Sequence, residues 1–146
     1  MSRVFTSNGT GAAVYVFSDD HCPPHVHARH RGDGWIARVG FSYLGSAVMV
    51  VSIAPLKNSP LQRTVSRLLA DVMAELPACR KVWWATRQTT CLANQWAVVL
   101  APERIEVLPE PVQGAKRIVN ASYYPAQELL RMCFHDGTST DVNTRP

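Results

Sequence analysis

Three histidines, two aspartates and a cysteine crowd into nine residues of this 146-residue chain, Asp19-Asp20-His21-Cys22-Pro23-Pro24-His25-Val26-His27. His25 and His27 are two apart, so a strand would point both imidazoles to the same side. The proline-stiffened turn before them brings Asp19, Asp20, His21 and Cys22 towards that side. That is enough for a mixed nitrogen, oxygen and sulfur site, two imidazoles plus a carboxylate with a position left open for water, suited to zinc or manganese. Such a site can activate water for hydrolysis. The candidate ligands are Asp20, His25 and His27; His30 would face the other way on a regular strand and is left out. The same segment also admits a structural role, in which the aspartates accept turn amides and the imidazoles close a hydrogen-bond network, and a role in ligand recognition. A Cys22–His25 nucleophile is disfavoured, because catalytic Cys–His partners are usually distant in sequence and a rigid Pro-Pro intervenes here.

A second candidate surface is Arg80-Lys81-Val82-Trp83-Trp84-Ala85-Thr86-Arg87. Basic residues interleaved with tryptophan can hold phosphates and stack on bases. Adjacent tryptophans on a helix diverge by about 100°, so one would pack in the core and the other at its rim. Arg63 and Arg67, four apart, could extend a basic patch or simply face solvent. The candidate contacts for nucleic acid or a protein partner are therefore Arg80, Lys81, Arg87, Arg63 and Arg67.

Charge is unevenly spread: residues 1–90 carry ten basic and five acidic side chains, residues 91–146 five and six. Twelve of the fifteen basic residues are arginine, which suits bidentate contacts with phosphate or carboxylate. No two of Cys22, Cys79, Cys91 and Cys133 form a C-x-x-C pair, which argues against a zinc ribbon. The N-terminus lacks a signal-peptide run, so reduced thiols in a cytoplasmic protein are expected. The most apolar stretch, residues 47–56, is too short to span a bilayer. Gly9-Thr10-Gly11 lacks the lysine and spacing of a phosphate loop.

Residues 12–17, 25–30 and 35–41 are expected strands, with Trp35, Ala37, Val39 and Phe41 on one face, and residues 47–53 a buried strand. Ser59 and Pro60 signal a helix start, followed by a stripe of Leu61, Val65, Leu68, Leu69, Val72, Met73 and Leu76. Pro77 ends or kinks that helix, and a second follows over residues 79–89. Residues 94–100 form a strand or buried segment, Pro102, Pro109 and Pro111 break the chain, and residues 105–108 form a short strand. Residues 109–116 read as a linker. Strands follow over residues 117–122 and 128–134, and Asp136-Gly137 turns the chain into residues 138–142. The fold expected is α+β: a small antiparallel sheet of three to four strands with two helices on one face (residues 1–108), a linker (109–116), and a partial C-terminal β-hairpin extension (117–146).

The segment from Phe17 to Ala28, with its acidic pair, His21, Pro23-Pro24, His25 and His27, resembles the signature of a bacterial family, domain-of-unknown-function family 4160. The amphipathic helix and the Trp83-Trp84 region follow that family's order, and the likeness covers residues 10–108. It favours Trp83 or Trp84 as a packing residue. The segment 88–101 is longer than members usually carry. Arg117-Ile118-Val119-Asn120-Ala121 with Glu128 to Thr138 resembles the opening hairpin of domain-of-unknown-function family 2442. The two families resemble neighbours in toxin–antitoxin-like gene pairs. Together with the basic first half, the resemblance implies a non-catalytic interaction component, working through a cognate protein partner or nucleic acid; the residues themselves add no membrane association, and an exposed C-terminal hairpin edge through which the chain could self-associate. The alternative, from the residues themselves, is a metal-dependent hydrolase or nuclease using Asp20, His25 and His27.

Overall fold

A computed structural model describes residues 1–101 and 104–145; Pro102, expected to break the chain, lies outside them. The described chain divides into two compact units, one comprising Met1–Ser42 and Ser46–Gln88, the other Tyr43–Gly45 and Thr89–Pro146.

The first unit contains β1 (Ser2–Thr6), β2 (Ala13–Val16), β3 (His25–His30), β4 (Trp35–Gly40) and β5 (Met49–Ala54), then a 3-10 turn (Leu56–Asn58), α1 (Gln62–Ala74) and α2 (Leu76–Arg87). The strands form one antiparallel meander in chain order. Period-two alternation sets its two faces. Val14, Val16, Val26, Ala28, Trp35, Ala37 and Val39 share one face and are at most 1% exposed. The opposite face carries Tyr15, His27, Arg29, Ile36 and Arg38. The β3–β4 turn needs Gly34: its φ is +76°, and a Cβ there would lie 2.9 Å from the Asn58 amide nitrogen.

The helices bury Leu68 and Val72 from α1, and Leu76, Cys79, Arg80 and Trp83 from α2. α2 packs against β1 and β2. Asp71 of α1 holds the β1–β2 loop, accepting hydrogen bonds from the Ser7 hydroxyl at 2.6 Å and the Gly9 amide at 2.9 Å.

The second unit contains β6 (Trp96–Ala101), β7 (Arg104–Leu108), β8 (Lys116–Tyr124), β9 (Leu129–Phe134) and β10 (Ser139–Asn143). They form a five-stranded antiparallel sheet of order β10-β9-β8-β6-β7. Ile118, Leu130 and Met132 are fully buried, and Tyr123 packs edge-on to Tyr43 at 4.8 Å.

These two sheets correct the expected α+β fold of three or four strands with a hairpin extension. The described residues are mostly β, with two five-stranded sheets and two helices. The C-terminal hairpin is no appendage, because β8 continues the ladder onto β6. The expectation also missed β1 altogether. It took residues 47–53 for a buried strand, whereas β5 is a sheet edge with Met49 66% and Val51 57% exposed. Ser59 does not cap α1: its amide bonds to the Leu56 carbonyl in the 3-10 turn, and the helix begins after Leu61. Leu61 and Met73, both on the apolar stripe of this helix, are exposed. Pro77 opens α2 instead of merely ending α1. No helix among the described residues is long and apolar enough to cross a membrane.

Cys79 and Cys133 are free thiols; Cys22 and Cys91 are not, which corrects the expectation of four reduced cysteines. Burial foremost, with Glu75 adding to it, pushes the Cys79 thiol up to about 12. Thiolate is the reactive form, so Cys79 is inert while the fold persists. Iodoacetamide near pH ~8 should alkylate half-buried Cys133 in the native protein and Cys79 only in denaturant, as read by peptide mass mapping. Native labelling of both at equal rates would contradict this burial.

Candidate metal centre

The bend that precedes β3 is closed by a reciprocal pair of hydrogen bonds. The Asp20 amide donates to the Phe17 carbonyl at 3.2 Å, and the Phe17 amide donates to Asp20 Oδ2 at 2.8 Å. The Phe41 amide then donates to the Pro24 carbonyl at 3.1 Å, fixing the entry to β3 beside the end of β4. With Oδ2 engaged, Asp20 Oδ1 is left facing the two imidazoles. His27 Nε2 lies 2.8 Å from it and His25 Nε2 lies 3.4 Å from it. One nitrogen or oxygen from each of Asp20, His25 and His27 lies within 4.8 Å of the others.

The tautomer of His25 follows from its other nitrogen. His25 Nδ1 is 2.9 Å from the Pro23 carbonyl oxygen. A carbonyl can only accept, so Nδ1 carries the proton and, in the neutral ring, Nε2 presents a lone pair. That lone pair faces a carboxylate oxygen, an arrangement that needs a cation or a proton between the two atoms. Backbone anchoring of one ring nitrogen while the other faces inward is the usual way a metal-binding histidine is oriented.

The surroundings are largely apolar. His25 sits 5.5 Å from the fully buried Trp83 ring, which also meets Phe41 edge-on at 6.2 Å. Phe17 meets His27 edge-on at 4.5 Å, and the two imidazoles are 4.9 Å apart. Asp20, His25 and His27 are 8%, 7% and 8% exposed, so the cluster is buried but not sealed. Burial holds His27 below its ordinary value despite the Asp20 carboxylate, and Arg38 and His25 act in the same direction. For Asp20 burial is the largest influence and acts upwards, but the Phe17 amide and His27 together outweigh it, leaving the carboxyl below its ordinary value.

The three residues singled out in the sequence thus converge. Asp19, His21 and Cys22 remain exposed, and the His21 ring is 6.4 Å from that of His25. Cys22 is no free thiol, which removes the Cys–His nucleophile. His30 faces away from His27, as expected, and stacks on Trp35 at 5.3 Å.

The basic candidates do not form one surface. Arg80 is 1% exposed and donates from Nε to the Ser42 carbonyl at 3.0 Å, so it braces the fold and offers no phosphate contact. Arg87 is half-buried and donates to the Ser18 carbonyl. Lys81, Arg63 and Arg67 are exposed. Sequence reasoning missed the residues that flank the cluster on the sheet: Tyr15 and Arg38 pair with His27 from β2 and β4, and Gly40 pairs with His25. Alternation placed Arg38 opposite the Trp35 face, but only the pairing register brings it beside His27.

No protein-family model, curated protein or solved structure matches the chain. The likeness to families 4160 and 2442 therefore rests on the quoted residues alone.

The two shifts have one sign. The folded His27 titrates below 6.5, so its contribution to stability is complete above 6.5 and is lost as pH falls through its folded value; Asp20 adds a further loss below 3.8. In chelator, the melting temperature should fall between pH ~7.5 and ~5, and more steeply for wild type than for His27→Gln. Parallel curves for the two proteins would show that His27 is not a buried neutral imidazole.

Proposed function

We propose that Asp20, His25 and His27 bind one divalent metal ion, zinc or manganese, and that the chain is a metal-dependent hydrolase. The observation that carries this reading is the facing of His25 Nε2 and Asp20 Oδ1 across 3.4 Å, with Nδ1 tied to the Pro23 carbonyl. Ligands on a tetrahedron with bonds of about 2.1 Å stand about 3.4 Å apart. His27 Nε2 and Asp20 Oδ1 need to open from 2.8 Å by roughly half an ångström to reach that spacing. Three protein ligands would leave a fourth position for water, whose pKa bound zinc lowers to about 7. Trp83 and Phe17 limit the water around the imidazoles, which strengthens electrostatic interactions within the site.

A second reading, an interaction component, draws support from the edge of the first sheet. β5 carries no charged residue, whereas the other edge strands carry Arg3 (β1), Arg104 and Glu106 (β7) and Asp141 (β10). An uncharged edge with exposed Met49 and Val51 can accept a strand from another chain. The C-terminal hairpin is the poorer candidate, since its free edge is β10, which carries Asp141. A toxin–antitoxin-like setting follows from the family resemblance alone.

Protein purified without chelator should carry about one zinc or manganese per chain by elemental analysis. His25→Ala/His27→Ala should lose it, and Asp20→Asn should bind it at least tenfold more weakly while keeping the wild-type circular dichroism spectrum. A folded wild-type protein that holds no metal and takes up none in calorimetric titration would end the hydrolase reading.

A further inference from the structure

The five strands of the first sheet contain three arginines and no acidic residue. Register places all three arginines on the face that carries His25 and His27. Arg3 pairs with Tyr15, Tyr15 with His27, and His27 with Arg38, so these four form one row across β1 to β4. Arg29 follows His27 by two residues on β3, opposite Ile36. All three arginines are exposed. Among the described residues none of them is in an ion pair; Arg3 donates only to the Thr6 hydroxyl. The second unit contrasts with this, since Lys116, Arg131, Arg145 and Arg104 each lie against a carboxylate. Beside the β3–β4 turn lies an open cavity of about 300 Å³ that straddles the sheet edge, lined by Arg29 and Ile36 of this face, His30 and Trp35 of the other, and Arg31.

We infer that this sheet face binds the phosphodiester backbone of single-stranded nucleic acid and is the substrate surface of the metal centre. The inference rests on the hydrolase reading for its chemistry but not for its binding. Unpaired arginines on a sheet complement a polyanion. Four strands at about 4.8 Å spacing spread the row over about 14 Å, more than one phosphate covers. Tyr15, half-buried between Arg3 and His27, offers an aromatic surface on which an unpaired base stacks, a contact that single strands allow and duplexes do not. Hydrolysis there would form a bond from the water oxygen to phosphorus and break a phosphorus–oxygen ester bond. The water proton passes to the departing oxygen.

The test is fluorescence anisotropy with a labelled single-stranded RNA 12-mer in chelator over a salt series. Wild type should bind at low salt. Arg3→Gln/Arg29→Gln/Arg38→Gln should bind at least tenfold more weakly, with its slope against log salt reduced by about 2, the value for three lost phosphate contacts on a single strand. Arg63→Gln/Arg67→Gln, on α1, should match wild type. Circular dichroism confirms that the variants, altered only at exposed positions, remain folded. Absence of wild-type binding at low salt, an unchanged triple variant, or tighter binding of a duplex of equal length would overturn the inference. Separately, adding zinc or manganese should give cleavage that His25→Ala/His27→Ala lacks. Arginine-dependent binding without cleavage or metal uptake would uphold the binding face and reject the hydrolase reading.

Discussion

Asp20 divides its two oxygens between two tasks, and the site depends on that division. Oδ2 is committed to the Phe17 amide and closes the bend before β3. Only then can Oδ1 be aimed at both imidazoles. A carboxylate this buried needs compensation for its lost hydration, and an amide plus a ring nitrogen supply it. The same geometry anchors His25 through its other nitrogen and aims Nε2 at the carboxylate, so that the neutral ring would direct a lone pair at negative charge. A metal ion, or a proton, placed between the two atoms would turn that contact into a favourable one.

The strand that carries the histidines does two kinds of work because of its period. Val26 and Ala28 fill the buried face with apolar volume, while His25, His27 and Arg29 point the other way. Gly40 lies opposite His25 across the ladder, and a side chain added there would press within 3.3 Å of Val51. Trp83 reaches the cluster from α2, so the helix that packs on β1 and β2 also forms part of its apolar wall.

Much of the site was legible because it is local. The spacing of His25 and His27 fixes their common side on any strand, and a proline-containing bend must return Asp20 towards them. β3 itself was expected over the residues it occupies. The rest depended on information that a local window lacks. Arg38 and Tyr15 become neighbours of His27 only through strand pairing. The second sheet was hidden because β6 is a short apolar run that periodicity cannot distinguish from a buried helix segment, and β8 pairs back to it across the intervening β7. Arg80 looked like a surface cation because charge is ordinarily exposed, yet its guanidinium is committed to a main-chain carbonyl. β5 read as buried because its residues are apolar, whereas burial depends on what lies beyond the edge.

The order of the first sheet has a consequence for how the chain acquires its shape. Each of its strands lies beside the one synthesised just before it. Every ladder can therefore close over a short loop, and the loops needed cost little entropy. The bend that holds Asp20 is itself the β2–β3 connection, so the cluster can assemble as soon as β3 and β4 have left the ribosome. The second sheet has no such freedom, because β6 must keep one side open until β8 has been made.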